Sequence, residues 1–272
     1  MRHKTLTATV AALALVILAA SPAYGITDGA PDGDDHPYVG LMVAQDAAGA
    51  PLTRCSGTLI SPTVFLTAGH CTFGASHVEI WFQADLEPDP AAFGYPFTGQ
   101  AGGSPYTHPQ YDDTAFQLFD LGLVVLDDPV VLPIYGALPA LDQLDAFSAS
   151  GKKGATFSAV GYGLQTSFPI AAKWDNQALF TRMVSTPKLN QINTGFTGDG
   201  LLLLSNNANT GGISFGDSGG PNFIGSSNVI AGVTSFVLNI TCAGTGGVYR
   251  VDRTDDLEWL ANFVGNRAQV EK

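Results

Sequence analysis

Basic residues are scarce in this 272-residue chain: 12 Lys plus Arg stand against 24 Asp plus Glu, a net charge of −12. That shortage argues against nucleic acid or anionic membrane as the main partner, because both bind through clusters of Lys and Arg and none is present. Charge of either sign is low at 13%, and with 45% apolar residues the composition excludes a disordered chain and sustains a core. After residue 25 no hydrophobic run approaches the length needed to span a bilayer. Cysteines number three and histidines five, without ligand spacing, so no metal site is expected. Turn formers are plentiful instead, with 32 Gly and 16 Pro.

The amino terminus has its own composition. Arg2, His3 and Lys4 precede the apolar run Thr5 to Ala20, and small residues follow in Ser21-Pro22-Ala23-Tyr24-Gly25. This pattern predicts a secretory signal peptide over 1–25, and hence a secreted, extracellular protein with no membrane attachment once the leader is gone. Two cleavage registers satisfy a small-x-small rule. Cutting after Ala23 leaves the dipeptide 24–25 as a propeptide; cutting after Gly25 makes Ile26 the new terminus. Losing Arg2 and Lys4 moves the balance to 10 against 24, a net charge of −14.

From Tyr38 onward, short segments carrying Val, Ile, Thr, Phe or Tyr alternate with turn residues, which predicts an all-β sandwich or barrel. The Pro-spaced stretch 127–139 reads as a linker between two β halves. Residues 84–103, rich in Pro, Gly and acid, read as exposed loop; a calcium loop is the alternative there, but the oxygens lack its spacing. Only the end looks helical: Leu257, Leu260, Phe263 and Val264 recur at helical steps over about 255–265, with Asp255-Asp256 as cap and Gly265 as stop.

Three blocks carry candidate chemistry: Thr67-Ala68-Gly69-His70-Cys71, Asp120-Leu121-Gly122-Leu123 and Gly216-Asp217-Ser218-Gly219-Gly220-Pro221. Acyl transfer needs a hydroxyl that attacks a carbonyl, an imidazole that takes its proton, and a buried carboxylate that orients the imidazole. Ser218, His70 and Asp120 supply these three groups. Asp120 leads straight into the apolar run Leu121 to Leu126 and is expected to be buried, whereas Asp112, Asp113, Asp127 and Asp128 sit in polar or Pro-containing loops. Glycines around Ser218 let backbone N–H groups approach a substrate carbonyl, which makes Gly216 and Ser218 the expected oxyanion donors.

With these blocks in that order, the chain resembles the chymotrypsin/trypsin family of serine endopeptidases from Ile26 to the terminal helix. Cys55-Ser56-Gly57-Thr58-Leu59-Ile60, His108-Pro109-Gln110-Tyr111, Gly161-Tyr162-Gly163 and Gly247-Val248-Tyr249 add to the likeness. The resemblance implies two six-stranded antiparallel β-barrels packed together with a short C-terminal helix: a first barrel at about 40–126, a second at about 140–254. It also implies a disulfide between Cys55 and Cys71. A further family disulfide, across the specificity pocket, has Cys242 at one end, but Gly212-Ile213-Ser214-Phe215 holds no cysteine at the other. Cys242 is therefore expected as a buried thiol beside a more mobile pocket wall.

By the same resemblance, Asp217 pairs with the α-amino group of Ile26 after processing, since Ile26-Thr27-Asp28-Gly29 is similar to the family's mature start. The pocket floor falls at Gly212 and the walls at Val237 and Gly247, with Ser235, Phe236 and Val237 pairing with substrate as an added strand. Without a carboxylate at Gly212, and with a branched Val237, small or medium apolar residues are expected on the acyl side of the cut bond. The expected function is thus a secreted, monomeric serine endopeptidase with no cofactor, acting on proteins or peptides and open to protein inhibitors. A catalytically silent binding protein on the same scaffold is the alternative. Esterase chemistry fits the letters of Gly216 to Gly220 but lacks the α/β context of a nucleophile elbow. Asn239-Ile240-Thr241 is a glycosylation sequon.

Overall fold

A computed structural model describes residues 26–149, 154–165 and 180–264. The expected leader, 1–25, and the helix stop at Gly265 lie outside the described residues. Strand β1 (Ala30–Pro31) precedes six longer strands: β2 (Val39–Gln45), β3 (Pro51–Ser61), β4 (Val64–Thr67), β5 (His77–Trp81), β6 (Ala101–Thr107) and β7 (Gly122–Leu126). These six close an antiparallel barrel in the order β2-β3-β4-β7-β6-β5. Every residue of β2 is buried. Alternate side chains fill the barrel, and the outer face is covered by the second half of the molecule, where the Arg182 guanidinium donates to the Val39 carbonyl at 3.1 Å.

The second half holds β8 (Phe157–Gly161), β9 (Met183–Ser185), β10 (Leu189–Thr194), β11 (Gly198–Asn206), β12 (Pro221–Ile224), β13 (Ile230–Val237) and β14 (Gly244–Arg250). The second half forms the expected partner to the first barrel, a curled antiparallel sheet. With β1 these strands form one eight-stranded sheet, β1-β9-β8-β12-β13-β14-β11-β10. The sheet curls until Thr156 bridges Lys188, just ahead of β8 and β10, where the Phe157 N–H donates to Pro187 C=O at 2.9 Å, the Leu189 N–H to Ala155 C=O at 2.8 Å and the Gly154 N–H to Leu189 C=O at 3.2 Å.

Three helices complete the description: α1 (Gly69–Thr72), α2 (Asp145–Ala149) and α3 (Thr254–Val264). Helix α3 begins one residue earlier than expected, so Asp255 and Asp256 fall in its first turn. Asp256 turns inward, where both carboxylate oxygens accept from the Tyr249 hydroxyl at 3.0 and 3.1 Å. Burial pushes this carboxyl up to about 7. Leu260 is fully buried, and the Trp259 ring meets His108 edge-on, so α3 packs against the loop that leads to Asp120. Among the described residues no helix is long and apolar enough to cross a membrane.

The segment 84–103 is more structured than an exposed loop. Leu86 is fully buried, Pro90–Phe93 forms a 3₁₀ turn, and the Phe93 carbonyl accepts from the buried Trp81 indole at 2.8 Å. Between the halves, the Gly136 N–H donates to Leu59 and the Ile230 N–H to Ala137, which stitches the crossing segment to both sheets.

Candidate active site

His70 is carried by α1, the single turn that follows β4. Gly69 is obligatory there, since a β-carbon would lie 2.9 Å from the Tyr111 ring and 3.0 Å from the Leu121 nitrogen. The Cys55–Cys71 disulfide is formed, with a Cα–Cα distance of 6.2 Å, and fixes α1 to β3. Asp120 is fully buried, while Asp112, Asp113, Asp127 and Asp128 are exposed. Phe119 just before it adopts φ +52°, a conformation that strains a bulky residue, and its ring stacks on His108.

Asp120 accepts four hydrogen bonds. The His70 backbone N–H reaches Oδ1 at 2.9 Å, and the His70 Nδ1–H reaches Oδ1 and Oδ2 at 3.0 and 2.9 Å. The fourth comes from the second half of the molecule, where the Ser235 hydroxyl donates to Oδ2 at 2.6 Å. A register shift between Thr234 and Phe236 breaks the β13–β14 ladder at Ser235 and turns that side chain toward Asp120. With Nδ1 engaged, the remaining ring nitrogen of His70 is Nε2. His70 and Ser218 line one cleft of about 420 Å³ together with Leu52, Arg54, Leu164 and Phe215.

The loop around Ser218 is pinned at several points. Ser218 C=O accepts from the Ser56 N–H at 2.8 Å, Gly219 N–H donates to Thr234 at 2.7 Å, and Gly220 N–H donates to Asp217 at 2.8 Å. Gly216 and Gly219 have φ of +92° and +77°. The Asp217 carboxylate is fully buried and accepts the N–H groups of Gly163 and Ser214 at 2.8 and 2.9 Å. It fits only because Gly161 and Gly163 carry no side chain: β-carbons there would lie 2.3 and 2.5 Å from its atoms. Burial raises Asp217 to about 7, against the lowering pull of the two N–H donors and of the Arg54 charge.

Ile26 is fully buried in the core of the second half, in the same cluster as Ile213, and the Thr27 carbonyl accepts from the Gly212 N–H at 3.0 Å. That places the start of the described chain against the segment leading to Asp217. The Gly212 site is closed by Asn206, whose Oδ1 would lie 2.3 Å from a β-carbon there. Val237 pairs with Gly246 and Phe236 with Gly247. Gly247 differs from an open wall, because the Phe236 ring covers it at 2.3 Å from a β-carbon position. The space beside Gly246 is taken by Ile213, 2% exposed, whose Cγ1 and Cδ1 would lie 2.4 and 2.6 Å from a β-carbon there.

Ile213 was not singled out in the sequence, although its place next to Gly212 was a usable signal. Cys242 is a buried thiol outside the disulfide, as expected, and the Ser214 hydroxyl lies 2.6 Å from its sulfur. Cys55, His70 and Cys71 bring three potential ligand atoms within 4.8 Å of one another. Both sulfurs are consumed by the disulfide and the imidazole by Asp120, so the trio is no metal set.

The Trypsin family profile matches residues 30–256. A trypsin of Saccharopolyspora erythraea is 30% identical over 96 residues, 35% of this chain and 39% of that protein; the aligned part thus spans well under half the length of this curated relative. Among solved structures, the chain is similar to an HL collagenase (TM-score 0.66, 19% identity, 87% of this chain and 97% of that one). It is also similar to human heparin binding protein (0.62, 20%, 85% and 92%) and to a scabies mite inactivated protease paralogue (0.61, 16%, 88% and 99%). With the profile covering most of its length, the chain belongs to the chymotrypsin/trypsin-like family of serine proteases.

Proposed function

We propose that the protein is a secreted serine endopeptidase whose catalytic residues are Ser218, His70 and Asp120. The observation that carries this reading is the placement of His70 between the buried Asp120 carboxylate and the cleft that Ser218 shares. Ser218 Oγ attacks the substrate carbonyl while His70 Nε2 takes its proton, and Asp120 stabilises the imidazolium through Nδ1–H. The N–H groups of Gly216 and Ser218 hold the oxyanion. The imidazolium then protonates the leaving amine, and water, deprotonated by the same imidazole, releases the acyl group. No cofactor is needed. Processing that exposes Ile26 supplies an ammonium to pair with Asp217, and cleavage after Gly25 does so without a separate activator.

Ile213 and Val237 reduce the pocket, which supports small or medium apolar acyl-side residues. Phe116, Leu118, Phe196 and Phe236 line a neighbouring apolar cavity of about 360 Å³. It suits side chains further toward the substrate's amino terminus, with the peptide added as a strand along Ser235 to Val237. The reading takes the protein as a monomer, with protein inhibitors of this family among its partners.

A second reading, a silent binding protein on this scaffold, is favoured by the likeness to heparin binding protein and to an inactivated paralogue. A net charge of −12 opposes binding of an anionic polysaccharide, and the sequence keeps His70, Asp120 and Ser218. The test is labelling by a fluorophosphonate, with Ser218→Ala as control and intact mass to report the amino terminus. Stoichiometric label on Ser218 of a chain starting at Ile26 supports the peptidase; no label on that same chain overturns it in favour of the binding protein.

A further inference from the structure

The N–H groups of Gly216 and Ser218 can hold an oxyanion only if three peptide planes keep their orientation. Each plane is held through its carbonyl. The peptide that carries the Gly216 N–H is fixed by the Leu164 N–H, which donates to Phe215 C=O at 2.8 Å. The peptide that carries the Ser218 N–H is fixed by Gly220, which donates to Asp217 C=O. Between them lies the Gly216–Asp217 peptide, whose N–H donates to Ser214 C=O at 3.1 Å and which follows a glycine at φ +92°, the residue type with the greatest freedom to turn. The donor to its carbonyl is a side chain: Ser56 Oγ–H bonds Gly216 C=O at 2.9 Å.

Ser56 is completely buried, and its hydroxyl both donates and accepts. The hydroxyl donates to Gly216 and accepts from the Tyr162 N–H at 3.0 Å. Its backbone N–H donates to Ser218 C=O at 2.8 Å, and its carbonyl accepts from the Thr67 hydroxyl at 2.8 Å. One residue thus grips the carbonyls of both oxyanion-donor residues. It sits on β3 next to Cys55, which ties it covalently to the helix that carries His70.

Resting on the peptidase reading, we propose that Ser56 is a positioning residue for the oxyanion hole: its hydroxyl locks the Gly216–Asp217 peptide so that the Gly216 N–H points where negative charge develops. Ser56 touches no substrate atom and acts through Gly216. Because the locked geometry matters most in the transition state, its loss appears in kcat rather than in KM.

The experiment compares wild type with Ser56→Ala and Ser56→Gly, both of which remove the hydroxyl and keep the backbone bond, so that either one folding suffices. Ser56→Thr, which keeps the hydroxyl, is the rescue. With active sites counted by fluorophosphonate, kcat is expected to fall about tenfold with KM within twofold, since loosening a donor is milder than deleting one. A peptidyl trifluoromethyl ketone is expected to lose affinity by the same factor, while the cleaved peptide acid is not. A folded Ser56→Ala enzyme with wild-type kcat, or one whose loss lies in KM, overturns the proposal. A readout independent of turnover is the order parameter of the Gly216 amide, expected to drop below about 0.6 in Ser56→Ala. An unchanged value overturns the proposal even if the wild-type protein proves inactive, which would itself be a failure of the peptidase reading.

Discussion

Installing a cysteine opposite Cys242 tests the geometry of the pocket wall. Ser214 Oγ lies 2.6 Å from Cys242 Sγ, both residues are buried, and 28 positions separate them in the chain. Ser214→Cys is expected to oxidise spontaneously to a second disulfide in air. In the chain-entropy account, closing a loop of 28 residues removes enough unfolded-state freedom to stabilise by about 3.5 kcal/mol. For a domain of this size that corresponds to a rise in Tm of about 10 °C. The assay is a thermal melt with and without reductant, alongside thiol titration of the unfolded protein. The variant should have no titratable thiol and lose its extra stability on reduction, whereas wild type should have one thiol and a reductant effect from Cys55–Cys71 alone. Two titratable thiols in the oxidised variant, or a Tm at or below wild type, would refute the placement of Ser214 against Cys242.

Three further outcomes follow from the site. Asp217 is raised to about 7 from 3.8, so while the Ile26 nitrogen remains blocked the folded carboxyl keeps a proton that the unfolded chain gives up; its own contribution to stability should be full below pH 3.8 and decline by about 4 kcal/mol as pH rises to 7. Urea titrations of a chain beginning at Ile26 should lack that decline, and identical pH slopes for the two chains would refute an ammonium partner for Asp217. Asp120→Asn should leave the fold intact and reduce kcat on the order of 10⁴-fold, because the amide favours the wrong imidazole tautomer; a loss under tenfold in steady-state kinetics would remove Asp120 from the mechanism. Ile213→Ala should open space beside Gly246 and raise kcat/KM for Phe over Ala on the acyl side by at least about tenfold, read with paired chromogenic peptides. An unchanged ratio would assign the pocket limit to Val237 alone.

The parts of the site legible in the sequence are those written in contiguous residues. Gly-Asp-Ser-Gly-Gly encodes a turn only glycines can make, and Asp120 announces its burial through the apolar run that follows it. What could not be read are meetings between distant segments. Ser235 was expected only as a strand that pairs with substrate, yet its hydroxyl reaches an aspartate 115 positions away. Ser56 reads as a small residue in a hairpin, and only the folded chain brings it to Gly216, 160 positions away. Ile213 is one more aliphatic residue until its contact with Gly246 is known.

The hydrogen bonds to Asp120 differ in what they span. Those from His70 stay within the first barrel, whereas the one from Ser235 crosses to the second sheet. A small shear of one half over the other therefore strains the Ser235 bond together with those from Ser56 to Gly216 and Ser218, and disturbs the site while both sheets keep their ladders. On heating or in mild denaturant, hydrolysis should fail before circular dichroism registers any loss of strand, and recover as quickly as the halves slide back. The protein's working range is then set by how firmly its two halves are seated on each other, and the melting of either half sets only the outer limit.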